Sequence, residues 1–176
     1  RVAHAAGQVC FPTDIYAQIK AADGMTKKGS ITQTAHIAGI MAAKRTHDLI
    51  PLCHPLPLDK IGLTFAYDDR ANAITVAATV KVTHKTGVEM EALAGVNAAL
   101  LTIYDLTKPV DPALRISNVR LLFKEGGKSG VWIHPEGISQ QQREWFKIQT
   151  LLPSSIGRAV VLTLSDRASR GIYEDR

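Results

Sequence analysis

The sequence predicts an α+β fold, and three observations lead there. Ile61, Leu63, Phe65 and Tyr67 alternate with small or polar residues, as do Ile74, Val76, Ala78, Val80 and Val82, with DDRAN between the two runs. Such a pattern is an antiparallel hairpin with one buried face. The order of periodic segments, β-α-α-β-β-α-β, puts paired strands beside helices that pack on one face of the sheet, an arrangement of ferredoxin-like character. Of 176 residues 45% are hydrophobic, ample for a core shared by one sheet and its helices.

Residues 1–11 alternate loosely and contain β-formers, which predicts a short first strand. Pro12-Thr13-Asp14 then opens a helix of about two turns with Ile15, Tyr16 and Ile19 as its apolar positions, ended by Gly24. A second helix is expected from Ser30 to Thr46, where Ile31, Ala35, Ala38, Ile40, Met41 and Ala42 make an apolar stripe. The stretch RTHDLIPLCHPL, from Arg45, follows as a stiff corner: Pro51 and Pro55 lack backbone donors and keep the chain extended. The hairpin spans residues 58–83, and an Ala- and Leu-rich helix runs from Val88 to Lys108, where Pro109 stops it. Residues 116–124 make a further strand ending in the loop EGGKSG.

Past Gly130 the character changes. Residues 131–157 are polar and mixed, which predicts a linker, and AVVLTL at 159–164 reads as a strand running into SDRASRGIYEDR. A lone strand cannot bury its own faces, so residues 158–176 are expected to be the truncated start of an α/β domain. The chain does not begin with Met, so its front is expected to be trimmed.

Composition narrows the function classes. No apolar run approaches the roughly 20 residues that cross a bilayer, and the start has no secretory h-region. Two cysteines, Cys10 and Cys53, are too few for a disulfide scaffold, so reduced thiols and a cytoplasmic location are expected. A net charge of +5 and an isoelectric point near 9.3 suggest an anionic partner. The charge is scattered, aromatics are 6%, and no K/R-G-F/Y-G/A-F-V run occurs, which argues against nucleic acid and leaves an acidic surface or a phosphorylated small molecule.

Four stretches carry candidate chemistry, each beside an ordinary reading. Cys53 and His54 are adjacent, poor geometry for chelating a metal, and neighbours in an extended segment point apart, poor geometry for a catalytic dyad. Packing or a pocket wall remain. Glu89 and Glu91 in KTGVEMEAL diverge by about 200° on a helix. They suit either a favourable first turn or recognition of a ligand ring by one carboxylate. Asp105 and Lys108 share a helix face, as a surface ion pair or as a pair tuned for proton transfer. EGGKSG lacks the first glycine of a Walker A motif, since Leu122 stands there, but a Gly-rich turn with Lys128 can present backbone N–H groups to phosphate.

Taken together, KRTHDLIPLCHPL, KTGVEMEAL, LTIYDLTK and VRLLFKEGGKSG, in this order, make residues 1–130 closely resemble the cyclic pyranopterin monophosphate synthase (MoaC) family of molybdenum cofactor biosynthesis. The tail from Ala159 resembles the opening strand and ligand loop of the molybdopterin adenylyltransferase (MogA/MoaB-like) family, which implies a fusion of two enzymes of one pathway. The family converts 3′,8-cyclo-7,8-dihydroguanosine 5′-triphosphate to the cyclic pyranopterin, closing a cyclic phosphate with loss of pyrophosphate. The resemblance implies Asp105, Lys28 and Lys108 as the catalytic set. It puts Leu52, Cys53 and His54 in the pocket wall, and Met90 and Glu91 on the substrate with Glu89 beside them. Lys128 and Arg1 match basic positions suited to the triphosphate. It further implies a homo-hexamer built as a trimer of dimers with each pocket shared across a dimer interface. No metal site or resident cofactor is implied, although Mg²⁺ could accompany the triphosphate. Ser30 and His36 depart from the family pattern, which commonly has aspartate and arginine there.

Overall fold

The computed structural model describes residues 1–128, 130–136 and 138. The tail read as the start of a second domain, and most of the segment read as a linker, lie outside the described residues.

Strand β1 (Val2–Cys10) places Ala3, Ala5, Gly7 and Val9 on one face, where they meet Val80, Ala78, Val76 and Ile74 of β5 (Ala73–Lys81) in unbroken antiparallel register. The partner of β5 in the hairpin is β4 (Lys60–Asp68), whose Ile61, Leu63, Phe65 and Tyr67 face the same side. Asn72 turns the hairpin in the left-handed region, at φ +48°, a conformation asparagine tolerates better than most side chains. On its other edge β1 pairs with β6 (Arg115–Glu125), and the register slips twice, once opposite His4 and Ala5 and once between Ala6 and Gln8, where Asn118 stands at φ +56°. The long strands lie in the order β4-β5-β1-β6, the antiparallel ferredoxin-like sheet that the alternation predicts.

Helix α1 (Thr13–Ala21) buries Ile15, Tyr16 and Ile19. It ends where Gly24, at φ +65°, turns its N–H back to the Ile19 carbonyl. Helices α2 (Ile31–Lys44) and α4 (Glu89–Thr107) cover the same sheet face, α4 over β1, β5 and β6, and α2 beside it over β4. The two helices approach closely at Gly39 and Gly95: a Cβ on Gly39 would meet the Leu63 side chain and stand 2.9 Å from the Gly95 carbonyl oxygen. Gly7 does the same beneath α4, where a Cβ would lie 2.7 Å from Leu100. Small residues therefore set the depth at which α4 settles, and with it the positions of both helix ends.

Several elements differ from the sequence reading. Met25–Thr26 (β2) and Gly29–Ser30 (β3) form a small hairpin between α1 and α2, too short to carry a period. Helix α2 stops at Lys44, and Thr46–Leu49 makes a separate helical turn (α3), so the corner predicted to be extended begins helical and becomes irregular only at the prolines. Trp132–Ile133 (β7), within the segment expected to link, pairs with Phe123 and Lys124 of β6 as a fifth strand. Behind it Ile138 joins Ala6, Ala77 and Leu122 in a small cluster on the sheet face away from the helices.

Candidate active site

Lysine and carboxylate meet at the C-terminal end of α4. Asp105 and Lys108 are one turn apart, and the Lys108 Nζ lies 2.8 Å from Asp105 Oδ1. From the β2–β3 hairpin Lys28 reaches the other carboxylate oxygen, Nζ to Oδ2 at 3.8 Å. The hairpin can turn this tightly because Gly29 adopts φ +110° and the Thr26 hydroxyl donates to its carbonyl at 2.9 Å. The hydrogen bond and charge of Lys108, followed by the charge of Lys28, hold the Asp105 carboxyl below the usual carboxylate range, and Asp105 in turn raises Lys108. All three side chains are about half exposed, so the ammonium groups and the carboxylate are open to a ligand. Beside them is a cavity of about 500 Å³ with Ile19, Met25, Leu106 and Pro109 on its walls and Lys27 and Lys28 at its rim. Ser30, the departure from aspartate, caps α2 by accepting the Gln33 N–H at 3.3 Å, so it supplies the oxygen an N-cap needs. The second departure, His36, stacks at a tilt on Phe65.

A second group gathers at the opposite end of α4. Lys124 donates to Glu89 Oε1 at 2.9 Å, and the Glu89 carboxylate lies over Gly87, where any Cβ would collide with it. Burial works to raise Glu89. The Lys124 hydrogen bond, Glu89's own backbone N–H and the charges of Lys124 and Arg1 outweigh that and leave it lowered. Arg1 anchors through its backbone nitrogen to the Val82 carbonyl (2.8 Å) and through Nη2 to the Lys85 carbonyl (2.6 Å). Its guanidinium lies against Gly127, which at φ +89° has no side chain to block it. Arg1, Lys85, Lys124 and Lys128 line one concavity of about 160 Å³ with Glu89 and Glu125. Four cations against two carboxylates leave the concavity with an excess of positive charge, which favours an anion.

Glu91 points the other way. It is 4% exposed, and burial, then the charge of Glu89, push its carboxyl up, while its own backbone N–H and His47 act against that. Cys53 is raised by burial and by the nearby Glu91 charge, which puts the Leu52-Cys53-His54 corner on this side of the helix. Cys53 is half-buried, Leu52 is 92% exposed and His54 is exposed, so neither flanking side chain packs into the core. Met90, between the two glutamates, is also exposed.

The expected residues thus form two groups. Lys28, Asp105 and Lys108 stand together at one end of α4. At the other end stand Arg1, Lys128 and Glu89 on one flank, and Glu91, Cys53 and its neighbours on the other. From Glu89 to Asp105 the helix is about 24 Å long. Sequence reasoning missed Lys85, Lys124 and His47, although each lies inside a motif it singled out. A lysine in a strand or loop has no distinguishing period, and only the crossing of β6 with the start of α4 marks Lys124. Among the described residues no group of three or more His, Cys, Asp or Glu is placed to hold a metal ion, and no helix is long and apolar enough to cross a membrane.

Residues 1–127 match the profile of the MoaC family. The chain belongs to the MoaC family. Its relatives include a cyclic pyranopterin monophosphate synthase of Dinoroseobacter shibae, 50% identical over 130 residues, which are 74% of this chain and 81% of the relative. A protein of the same name from Heliobacterium modesticaldum is 48% identical over 136 residues, covering 77% and 84%. Another from Pelobacter propionicus is 46% identical over 137 residues, covering 78% and 84%. The matched MoaC region contains the β2–β3 hairpin, the whole of α4 and both side-chain groups at its ends up to Gly127.

Proposed function

We propose that this protein is a cyclic pyranopterin monophosphate synthase of molybdenum cofactor biosynthesis, a lyase that converts 3′,8-cyclo-7,8-dihydroguanosine 5′-triphosphate to cyclic pyranopterin monophosphate and pyrophosphate. The observation that carries the reading is Asp105 held between the ammonium groups of Lys28 and Lys108. Rearranging the rings requires protons to leave and reach several nitrogens and oxygens. A carboxylate kept ionised beside two donors can accept and return them. Closing the cyclic phosphate expels pyrophosphate, whose charge the Arg1, Lys85, Lys124 and Lys128 concavity is suited to stabilise. Glu91 and the Leu52-Cys53-His54 corner would hold the ring portion, with Met90 against it. This reading calls for no resident cofactor, and Mg²⁺ could accompany the triphosphate.

The two groups are too far apart along α4 to act on one small molecule within a single chain. We infer that a symmetric dimer brings the Asp105 end of one protomer to the Glu89 end of its partner, and that three such dimers make a hexamer in the cytoplasm. The resemblance of the tail further supports a bifunctional parent with a second, adenylyltransferase-like domain. A pterin-binding scaffold without turnover is the weaker reading, because binding alone has no use for the Lys28–Asp105–Lys108 arrangement.

Single-turnover release of pyrophosphate from the cyclic dihydro-GTP substrate tests the function. The parent chain is expected to release it, and Asp105→Asn to slow release by about a hundredfold or more while binding persists. Substrate binding without release by the parent chain would leave only the scaffold.

A further inference from the structure

The turn that presents Lys128 has little stiffness of its own. Gly126, Gly127 and Gly130 all have positive φ, and among the described residues the turn is closed by two backbone hydrogen bonds, Gly126 N–H to Gly130 O and Gly130 N–H to Gly127 O, both 3.1 Å. Where Lys128 sits therefore depends on how the two ends of the turn are tethered. The incoming end is firm: Lys124 and Glu125 pair with Ala3 and Val2 of β1. The outgoing end is β7, two residues paired with Lys124 and Phe123 and extended by one bond from His134 N–H to Leu122 O. A strand that short is not stable alone.

Two contacts beyond β7 supply the tether. The Glu136 carboxylate pairs with the Arg120 guanidinium of β6, and the Glu136 N–H, donating to His134 Nδ1 at 3.2 Å, curls the chain toward it. Ile138, 7% exposed, packs with Leu122, Ala6 and Ala77 on the sheet face away from the helices, with Ile133 against them. We propose that residues 131–136 and 138 are a brace for the anion-binding turn, with Glu136 and Ile138 as positioning residues that act through Lys128. The segment supports the phosphate site and is more than a connection to the C-terminal residues. That the site takes phosphate rests on the function proposed above, whereas the brace is a matter of geometry.

The test has a sign that separates positioning from electrostatics. Glu136 is negative, so removing its charge strengthens the positive field and, by field alone, tightens anion binding. The brace predicts the opposite. Titration calorimetry of the full chain with inorganic pyrophosphate is expected to show binding weakened about three- to tenfold in Glu136→Gln and in Ile138→Ala. Glu136→Asp should bind as the parent does, and Arg120→Glu combined with Glu136→Arg should recover most of the loss. In turnover, Glu136→Gln should lower kcat/KM by a similar factor, and Glu136→Asp should restore it. Unchanged or tighter pyrophosphate binding in Glu136→Gln, with the parent's circular dichroism and melting retained, overturns the brace while leaving the phosphate site standing. A parent chain that binds no pyrophosphate overturns the phosphate reading, and the proposal with it.

Discussion

Glu91 lies buried beside Cys53, and burial is the main reason its carboxyl is raised. A carboxyl raised in the fold titrates above its unfolded value, so as pH rises through that window the unfolded chain gives up its proton first and stability falls. Glu91→Gln is therefore expected to raise the melting temperature at pH 7, with the gain shrinking at pH 4, and to lose substrate affinity; thermal denaturation at the two pH values checks it. His4 works in the reverse sense. Its ring is 3% exposed on the other sheet face, bonded through Nδ1 to the Thr79 hydroxyl at 2.8 Å and tilted on Phe123; burial, then the Lys81 charge, lower it to about 4. Between pH 6.5 and 4 the unfolded chain takes a proton that the fold refuses. Stability is then full above 6.5 and falls by up to ~3 kcal/mol as pH drops to 4. Denaturant midpoints across that range should flatten in His4→Gln. Neither environment was legible in the sequence, because a glutamate or histidine in a periodic segment does not reveal whether its own face is covered.

At the scale of elements, the α2–α4 crossing decides where both groups of site residues stand. Gly39→Ala gains up to ~1 kcal/mol of helix propensity, yet its Cβ meets the Gly95 carbonyl oxygen at 2.9 Å and the Leu63 side chain. Overpacking of that kind costs ~1–3 kcal/mol, so a net destabilisation is expected from urea unfolding. The long strands and helices were legible because alternation and the 3.6-residue period are local signals. The β2–β3 hairpin and β7 were not, being two-residue strands held by tertiary neighbours, and the helical turn at Thr46 hid behind a corner that the prolines make extended only later. The hairpin matters most, since it carries Lys28 to Asp105.

For the whole molecule, the separation of the two groups by the length of α4 makes a prediction about mixtures. Asp105→Asn damages one end and Glu89→Ala the other, so each variant alone should be nearly inactive. With sites shared across the proposed symmetric dimer, variants refolded together at equal amounts would give half mixed dimers, each with one intact site, and so restore about a quarter of parental turnover. No recovery above the sum of the two variants would mean that each site is built from one chain. The motifs alone determined which residues to suspect and which family they resemble, because a run such as KTGVEMEAL is local chemistry written in order. Only the tertiary structure decided that Lys28 meets Asp105, that Glu89 goes to Lys124 while Glu91 turns to Cys53, and that the suspects form two groups. Side-chain partners depend on how elements cross, and neither period nor spacing encodes the crossing.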